Sequence, residues 1–142
     1  MDNKESNKIL LEIVTPYRKV LSTHVDEVRM PGTMGELGIL YDHTPLLTSL
    51  MEGEVGYRIG NKPEEILCVS WGFAEVLGDR VTILVETAEI AHEIDLARAK
   101  LAQERAEAKL KGDLRTEQEY LDATMSLRKA TARINVGSKL IK

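Results

Sequence analysis

The sequence contains a single cysteine, Cys68, among its 142 residues. One thiol cannot form an intrachain disulfide, and it cannot supply the several ligands of a cysteine-based zinc site. Only three histidines are present, and no two of them stand four residues apart, as a pair of metal ligands on a helix would. The sequence therefore predicts neither a disulfide framework nor a metal centre.

Long apolar runs are also missing, and the polar first residues are not followed by the apolar segment of a signal peptide. We expect a cytoplasmic protein that meets a membrane only through its partners. Hydrophobic residues make up 43% and charged residues 30%, which is typical of a globular protein. The formal net charge of −4 argues against general nucleic-acid binding, which depends on neutralising many phosphates.

The negative charge is concentrated in the first half of the chain. Residues 1–88 carry more acidic than basic side chains, whereas residues 89–142 carry a small basic excess. From Arg128 to the last residue every charged side chain is basic. This end of the chain is suited to an acidic protein surface or to a single nucleotide.

Apolar residues alternate with polar ones in the first half, as in Ile9, Leu11 and Ile13 or in Val81, Ile83 and Val85. A period of two indicates strands, and glycine- and proline-containing turns separate them. The predicted fold for residues 1–88 is an antiparallel all-β sandwich, or flattened barrel, of short strands.

The second half contains no proline and consists mainly of strong helix formers. We predict one helix from Glu89 to Lys111 and a second one to about Asn135, separated by Gly112 as C′ residue and Asp113 as N-cap. Residues 89–142 would then form an antiparallel two-helix hairpin. The predicted contact stripe is thin and comprises Leu101, Ala102, Ala106 and Leu110 on the first helix and Leu114, Leu121, Met125 and Ala132 on the second.

The stretch GELGILYDHTPLL, residues 35–47, places Glu36 near Asp42 and His43. These residue types could carry acid–base chemistry in a small enzyme, but no nucleophile motif and no phosphate-binding loop accompany them. A loop on a rigid sandwich is more often a contact surface for a partner. A further alternative is that His43 only bonds a neighbouring backbone group.

Asp95 and Arg98 are three residues apart on the first predicted helix, so they could form an ordinary solvated pair. Arg105 follows Arg98 by two turns, and Arg128 could lie opposite in a closed hairpin. Several guanidinium groups converging from two helices could hold a nucleoside triphosphate without a phosphate-binding loop. Both alternatives remain open on the residues alone.

Three longer stretches resemble one family: VDEVRMPGTMGELGILYDHTPLLTSLMEGEV, VSWGFAEVLGDRVTILVETAE and EIDLARAKLAQERAEAKL. In this order they look like the epsilon subunit of bacterial F-type ATP synthase, over nearly the whole chain. The resemblance implies a sandwich of about ten strands and two regulatory helices. It also implies a non-catalytic rotor subunit of the central stalk rather than an independent enzyme or a coiled-coil adaptor.

The resemblance assigns partners to particular residues. The sandwich would bind the gamma subunit and the c-ring, coupling proton transport to ATP synthesis, with Glu36, Tyr41, Asp42 and His43 at these contacts. The helices would extend toward the alpha and beta subunits to inhibit ATP hydrolysis. An acidic loop of the beta subunit would meet the basic side chains of Arg128, Lys129 and Arg133. The complex would hold the chain at the cytoplasmic face of the cell membrane.

Some members of this family bind regulatory ATP through a motif that residues 94–99, IDLARA, match in full. The resemblance implies an ATP site of Glu89, Asp95, Arg98, Arg105 and Arg128, with Arg133 as a further candidate, and no other cofactor. Two departures stand out. Tyr41-Asp42 replaces the family's usual Pro-Gly, and Trp71 stands where the family usually has a glycine.

Overall fold

The computed structural model describes residues 7–139, which divide into two compact units, one ending at Glu89 and the other beginning at Ile90. Strands make up the first unit, and helices dominate the second. The predicted fold class, a ten-stranded sandwich followed by a helical hairpin, is confirmed.

The strands form one sheet that curls into a sandwich. In chain order they are β1 Ile9–Val14, β2 Lys19–Val25, β3 Glu27–Gly32, β4 Gly35–Leu40, β5 His43–Leu50, β6 Gly53–Arg58, β7 Glu65–Val69, β8 Gly72–Gly78, β9 Arg80–Val85 and β10 Ala88–Ile90. Their order in the sheet is β10-β7-β6-β3-β5-β8-β9-β1-β2, and β4 pairs with β3.

The pairing of β1 with β9 differs from the predicted antiparallel arrangement. These two strands run parallel, with Leu11 opposite Val81 and Ile13 opposite Ile83. Only a direct hairpin forces two strands to be antiparallel, and β1 and β9 are far apart in the sequence. The remaining described strand pairs with a resolved register are antiparallel.

The core of the sandwich follows from the alternation seen in the sequence. On β1 the side chains of Ile9, Leu11 and Ile13 are fully buried, whereas the intervening residues are partly exposed. Val81 and Ile83 of β9 are buried in the same way. Each such side chain stabilises the folded state by about 1.5–3 kcal/mol relative to an exposed one.

Trp71, which replaces a usual glycine, does not enter this core. Its side chain lies at an open surface groove of about 390 Å³, beside Val14, Pro16 and Phe73. The preceding Ser70 is buried, and its hydroxyl accepts hydrogen bonds from the backbone amide and the hydroxyl of Thr87, at 2.8 and 3.0 Å. The indole therefore requires no space inside the sandwich.

The helical unit contains a 3-10 turn, Ala91–Glu93, and two helices, α1 Leu96–Lys111 and α2 Glu117–Ser138. The predicted start of the first helix at Glu89 is wrong, because the chain stays extended in β10 and Asp95 caps α1. Asp113 is not the cap of α2. Thr116 has that role, and its hydroxyl accepts a hydrogen bond from Glu119 N at 3.0 Å.

Small residues line the contact between α1 and α2. Ala99 and Ala106 are buried on α1, and Ala123, Ala130 and Gly137 are buried on α2, in each case seven residues apart. We call these five residues the alanine seam. Their small side chains let the two backbones approach each other closely.

The predicted stripe was wrong in part, since its larger side chains lie outside the alanine seam. Leu101 is 51% exposed, Leu121 is 45% exposed and Met125 is 38% exposed. The stripe also contained Ala106 and Ala132, and both are buried, as predicted. Within the part of the chain that the structure describes, neither helix is long and apolar enough to cross a bilayer.

Candidate functional site

The residues predicted to touch the gamma subunit and the c-ring lie on β4, on β5 and in the two-residue link between them. Glu36 is on β4, Tyr41 and Asp42 form the link, and His43 begins β5. Glu36, Tyr41 and Asp42 are exposed, and His43 is partly exposed. All four are therefore available at the surface of the isolated chain.

Asp42 adopts a backbone conformation that favours glycine. Its φ angle is 64°, in the left-handed region, and among the described residues it is the one residue other than glycine with a positive φ. Aspartate tolerates this conformation better than most residues, although glycine adopts it without strain. The link keeps the backbone that glycine would supply and adds a negative charge.

His43 and Glu36 do not form a catalytic pair. A ring nitrogen of His43, Nδ1, lies 2.7 Å from the Thr44 carbonyl oxygen, and as a protonated Nδ1–H it donates to that oxygen. The carboxylate of Glu36 accepts a hydrogen bond from Arg29 Nη1 at 2.8 Å. His43 and Glu36 therefore bond different partners. For His43 the partner is a neighbouring backbone group, which is the further alternative stated from the sequence.

Arg29 is the centre of an ion-pair cluster that sequence reasoning missed. Its guanidinium bonds Glu64 through Nε and Nη2, both at 2.8 Å, and it also bonds Glu54 and Glu36. Glu64, followed by Glu36 and Glu54, raises the pKa of Arg29 above its ordinary range, against the opposing effect of burial. We call these four residues the Arg29 cluster.

The register of the sheet places Arg29 between two glycines, and one of them, Gly56, makes room for this cluster. Arg29 on β3 lies opposite Gly38 on β4 and opposite Gly56 on β6, so it has a glycine as its neighbour on both sides. A Cβ at Gly56 would lie 2.6 Å from Glu64 Oε2 and 2.8 Å from Arg29 Nη2. The sequence shows these residues but not their register, which is why the cluster could not be predicted.

Three residues predicted for the ATP site lie on α1 or at its start: Asp95, Arg98 and Arg105. Asp95 caps α1, because its Oδ1 accepts a hydrogen bond from Arg98 N at 3.1 Å. The backbone amide of Arg98, and not its guanidinium, is therefore the partner of Asp95 in this contact. Arg98 and Arg105 are exposed and each precedes an alanine of the seam, so both lie at the same edge of α1.

Helical phase determines which cations of α2 face that edge. Gln103 Nε2 donates to Thr131 Oγ1 at 3.4 Å, which marks the opposite edge of the alanine seam. Lys129 precedes Ala130 by one residue, and Arg133 follows it by three. At about 100° per residue, both side chains lie on the side of α2 next to the edge of α1 that carries Arg98 and Arg105. We call Arg98, Arg105, Lys129 and Arg133 the cationic edge.

Arg128 does not share this position. It precedes Ala130 by two residues, roughly 160° around α2, and therefore points away from α1. By helical phase, Lys129 and Arg133 are better placed than Arg128 to join Arg98 and Arg105, and the role of Arg128 in the site stays a prediction. Glu89 ends the other unit, as its last residue.

A surface cavity of about 320 Å³ near the turn between the helices does not match the predicted ATP site. Its lining comprises Lys109, Leu114, Glu119, Asp122, Ala123 and Ser126. Two carboxylates and one ammonium group are a poor lining for a triphosphate. No cluster of potential metal ligands occurs among residues 7–139.

Comparisons with known proteins cover both units. Residues 8–91 match the beta-sandwich domain of the ATP synthase delta/epsilon chain, and residues 92–137 match its long alpha-helix domain. ATP synthase epsilon chain 2 of Syntrophotalea carbinolica is 48% identical over 134 residues, covering 94% of this chain and 96% of that relative. The epsilon chain of Syntrophobacter fumaroxidans is 48% identical over 136 residues, covering 94% and 98%.

Solved structures agree in fold. A chain of the Euglena gracilis mitochondrial ATP synthase, solved as OSCP/F1/c-ring, gives a TM-score of 0.80 at 22% identity and covers 93% of this chain and 82% of that one. A chain of the Tetrahymena thermophila mitochondrial ATP synthase, solved as central stalk and c-ring, gives 0.61 at 18% identity, covering 95% and 97%.

These matches confirm the resemblance to the epsilon subunit that the sequence motifs indicated. They also confirm the prediction of a non-catalytic subunit, because the relatives are single chains of a larger synthase. The chain belongs to the ATP synthase delta/epsilon chain family.

Proposed function

We propose that the chain is a rotor subunit in the central stalk of an F-type ATP synthase, at the cytoplasmic face of the cell membrane. In this role the sandwich binds the gamma subunit and the c-ring and couples proton transport to ATP synthesis. The observation that carries the proposal is the match of both units, in order, to one family. One of the two similar structures was solved as OSCP/F1/c-ring and the other as central stalk and c-ring.

Reconstitution tests this role. The chain is added to synthase from which the resident epsilon subunit has been removed, and ATP-driven proton pumping is measured in vesicles. We expect the chain to restore pumping and Glu36→Gln to restore less. The matched control is Glu27→Gln, which also removes a carboxylate paired with an arginine, Arg58. Failure of the wild-type chain to restore pumping would contradict the proposal.

We further propose that the helical unit inhibits ATP hydrolysis through contacts with the alpha and beta subunits. Arg128, Lys129 and Arg133 supply positive charge near the end of α2, and no acidic residue follows them. Replacing all three by glutamine should relieve inhibition. Replacing Lys100, Lys109 and Lys111 of α1 removes the same charge and should leave inhibition unchanged. Equal relief by both triple variants would indicate a general charge effect.

Regulatory ATP binding is proposed for the cationic edge. Four cations along one edge of a helix pair can contact the phosphates, while the cap formed by Asp95 fixes the start of α1. Calorimetric titration of ATP into the whole chain tests this site. Arg98→Ala and Lys129→Ala should each weaken binding, and Arg128→Ala should not. No heat of binding at millimolar ATP would contradict the proposed site.

A further inference from the structure

The Arg29 cluster has an unequal composition, with one guanidinium and three carboxylates. The side chain of Glu54 is 14% exposed and that of Arg29 is 27% exposed, whereas that of Glu36 is 59% exposed. Glu36 is therefore the outermost member. The other two carboxylates lie closer to the sheet. Glu54 holds the guanidinium from β6, and Glu64 holds it from the segment before β7.

Three carboxylates bond the guanidinium, and one of its nitrogens is reserved for Glu36. Glu64 takes Nε and Nη2 in a two-point pair, which fixes the plane of the group. Glu54 also accepts from Nη2, and only Nη1 reaches Glu36. Gly56 lies beneath this arrangement and leaves no room for a side chain. The guanidinium is thus anchored independently of Glu36.

An anchored cation can orient an exposed carboxylate before a partner arrives. A free glutamate on a strand samples several rotamers, and fixing one of them on binding costs conformational entropy. Because Arg29 already holds Glu36, that ordering occurs in the isolated chain. Glu54 and Glu64 would keep the guanidinium in place while Glu36 forms its outer contact.

We propose that Arg29 is a positioning residue for Glu36, holding its carboxylate in the orientation in which it contacts the c-ring. This inference rests on the proposed function of Glu36 as a contact residue. Arg29 does not touch the partner and acts only through Glu36. Gly56 is part of the same arrangement, because a side chain there would displace the guanidinium.

A double-mutant cycle tests the inference. Binding of the full chain to purified c-ring with gamma subunit is measured for wild type, Arg29→Gln, Glu36→Gln and the double variant. We expect Arg29→Gln to weaken binding about three- to tenfold when Glu36 is present. In the Glu36→Gln background the same change should have no further effect. Arg29→Lys keeps the positive charge but lacks the planar set of donors of a guanidinium, so it should give an intermediate loss of binding.

Two further measurements separate positioning from a loss of folding. Gly56→Ala retains Arg29 but moves it, and it should weaken binding as Arg29→Gln does. Side-chain scalar couplings measured by NMR should show one rotamer of Glu36 in the wild type and averaged rotamers in Arg29→Gln. The unfolding midpoint of each variant is recorded, and Arg58→Gln serves as control for the loss of a paired arginine.

The outcomes distinguish the two levels of the proposal. An equal effect of Arg29→Gln in both backgrounds, or an unchanged Glu36 rotamer, would overturn the positioning role while leaving Glu36 as a contact. Unchanged binding of Glu36→Gln would overturn the contact itself, and the positioning role with it.

Discussion

Gly72 on β8 lies so close to Leu84 on β9 that a Cβ at this glycine would be 2.0 Å from the Leu84 carbonyl oxygen. The same Cβ would lie 2.7 Å from the Cα of Val85, so backbone atoms of β9 block the position. A side chain at residue 72 would separate two paired strands of the core.

Gly72→Ala should therefore destabilise the sandwich strongly. We expect the free energy of unfolding in urea to fall by about 2–3 kcal/mol, the upper part of the range for overpacking. Gly38→Ala is the matched control, since a Cβ there would meet nothing within 4 Å. Its effect should stay within about 0.5 kcal/mol. Similar losses for both variants would refute the steric explanation.

Asp42→Gly tests the left-handed backbone of the link between β4 and β5. Glycine adopts a φ of 64° without strain, so the substitution stabilises the folded backbone. This stabilisation offsets the loss of stability that comes from the larger entropy of the unfolded chain. We expect Asp42→Gly to leave the free energy of unfolding unchanged or to raise it. Asp79→Gly, at a residue without positive φ, should lower it by about 0.5–1 kcal/mol. Equal losses would mean that the turn carries no strain.

The alanine seam predicts which positions of α1 tolerate a change in side-chain size. Ala106→Leu would insert three carbons between close helices and should destabilise the helical unit by about 1–3 kcal/mol. Leu101→Ala removes a half-exposed side chain and should change the stability of the helical unit by less than about 1 kcal/mol. Amide hydrogen exchange of α1 and α2 measures both. A greater loss of protection in Leu101→Ala than in Ala106→Leu would contradict the alanine seam as the contact between the helices.

The pair of Lys8 and Asp26 predicts a dependence of stability on pH. Lys8 Nζ donates to Asp26 at 2.9 Å and, together with the Gly60 amide, lowers the pKa of Asp26 below its usual range. The stabilisation is thus complete above the unfolded pKa of about 4 and is lost as the pH falls through the folded value.

Lys8→Gln should accordingly lower the free energy of unfolding at pH 7 by about 0.5 kcal/mol, given solvent screening of this partly exposed pair. Below the folded pKa of Asp26 the carboxyl is protonated in both states, so variant and wild type should converge there. Lys62→Gln, an exposed lysine in the turn before β7, is the control. A difference that stays constant with pH would exclude the ion pair as its cause.

The sandwich was predictable because its strands are half-buried. Alternation on β1 and β9 encodes which side chains face inward, and the turn residues between strands mark their ends. The parallel pairing of β1 with β9 was not predictable, since alternation carries no information on strand direction.

The helices and the contact residues show where sequence patterns are insufficient. The position of Arg128 depends on the rotation of α2 about the alanine seam, and that rotation is set by small residues carrying a weak hydrophobic signal. The role of Arg29 depends on the register that places it between Gly38 and Gly56. In both cases the deciding information is a distance between segments remote in the sequence.

The most direct test of the proposed regulatory rotor subunit is the rate of ATP hydrolysis by the catalytic head of the synthase. The rate is measured with gamma subunit and the whole chain, and again with a chain that ends at Glu89. We predict that the whole chain suppresses hydrolysis, whereas the shortened chain still binds gamma and leaves the rate unsuppressed. Equal suppression by both chains, or none by the whole chain, would contradict the proposal.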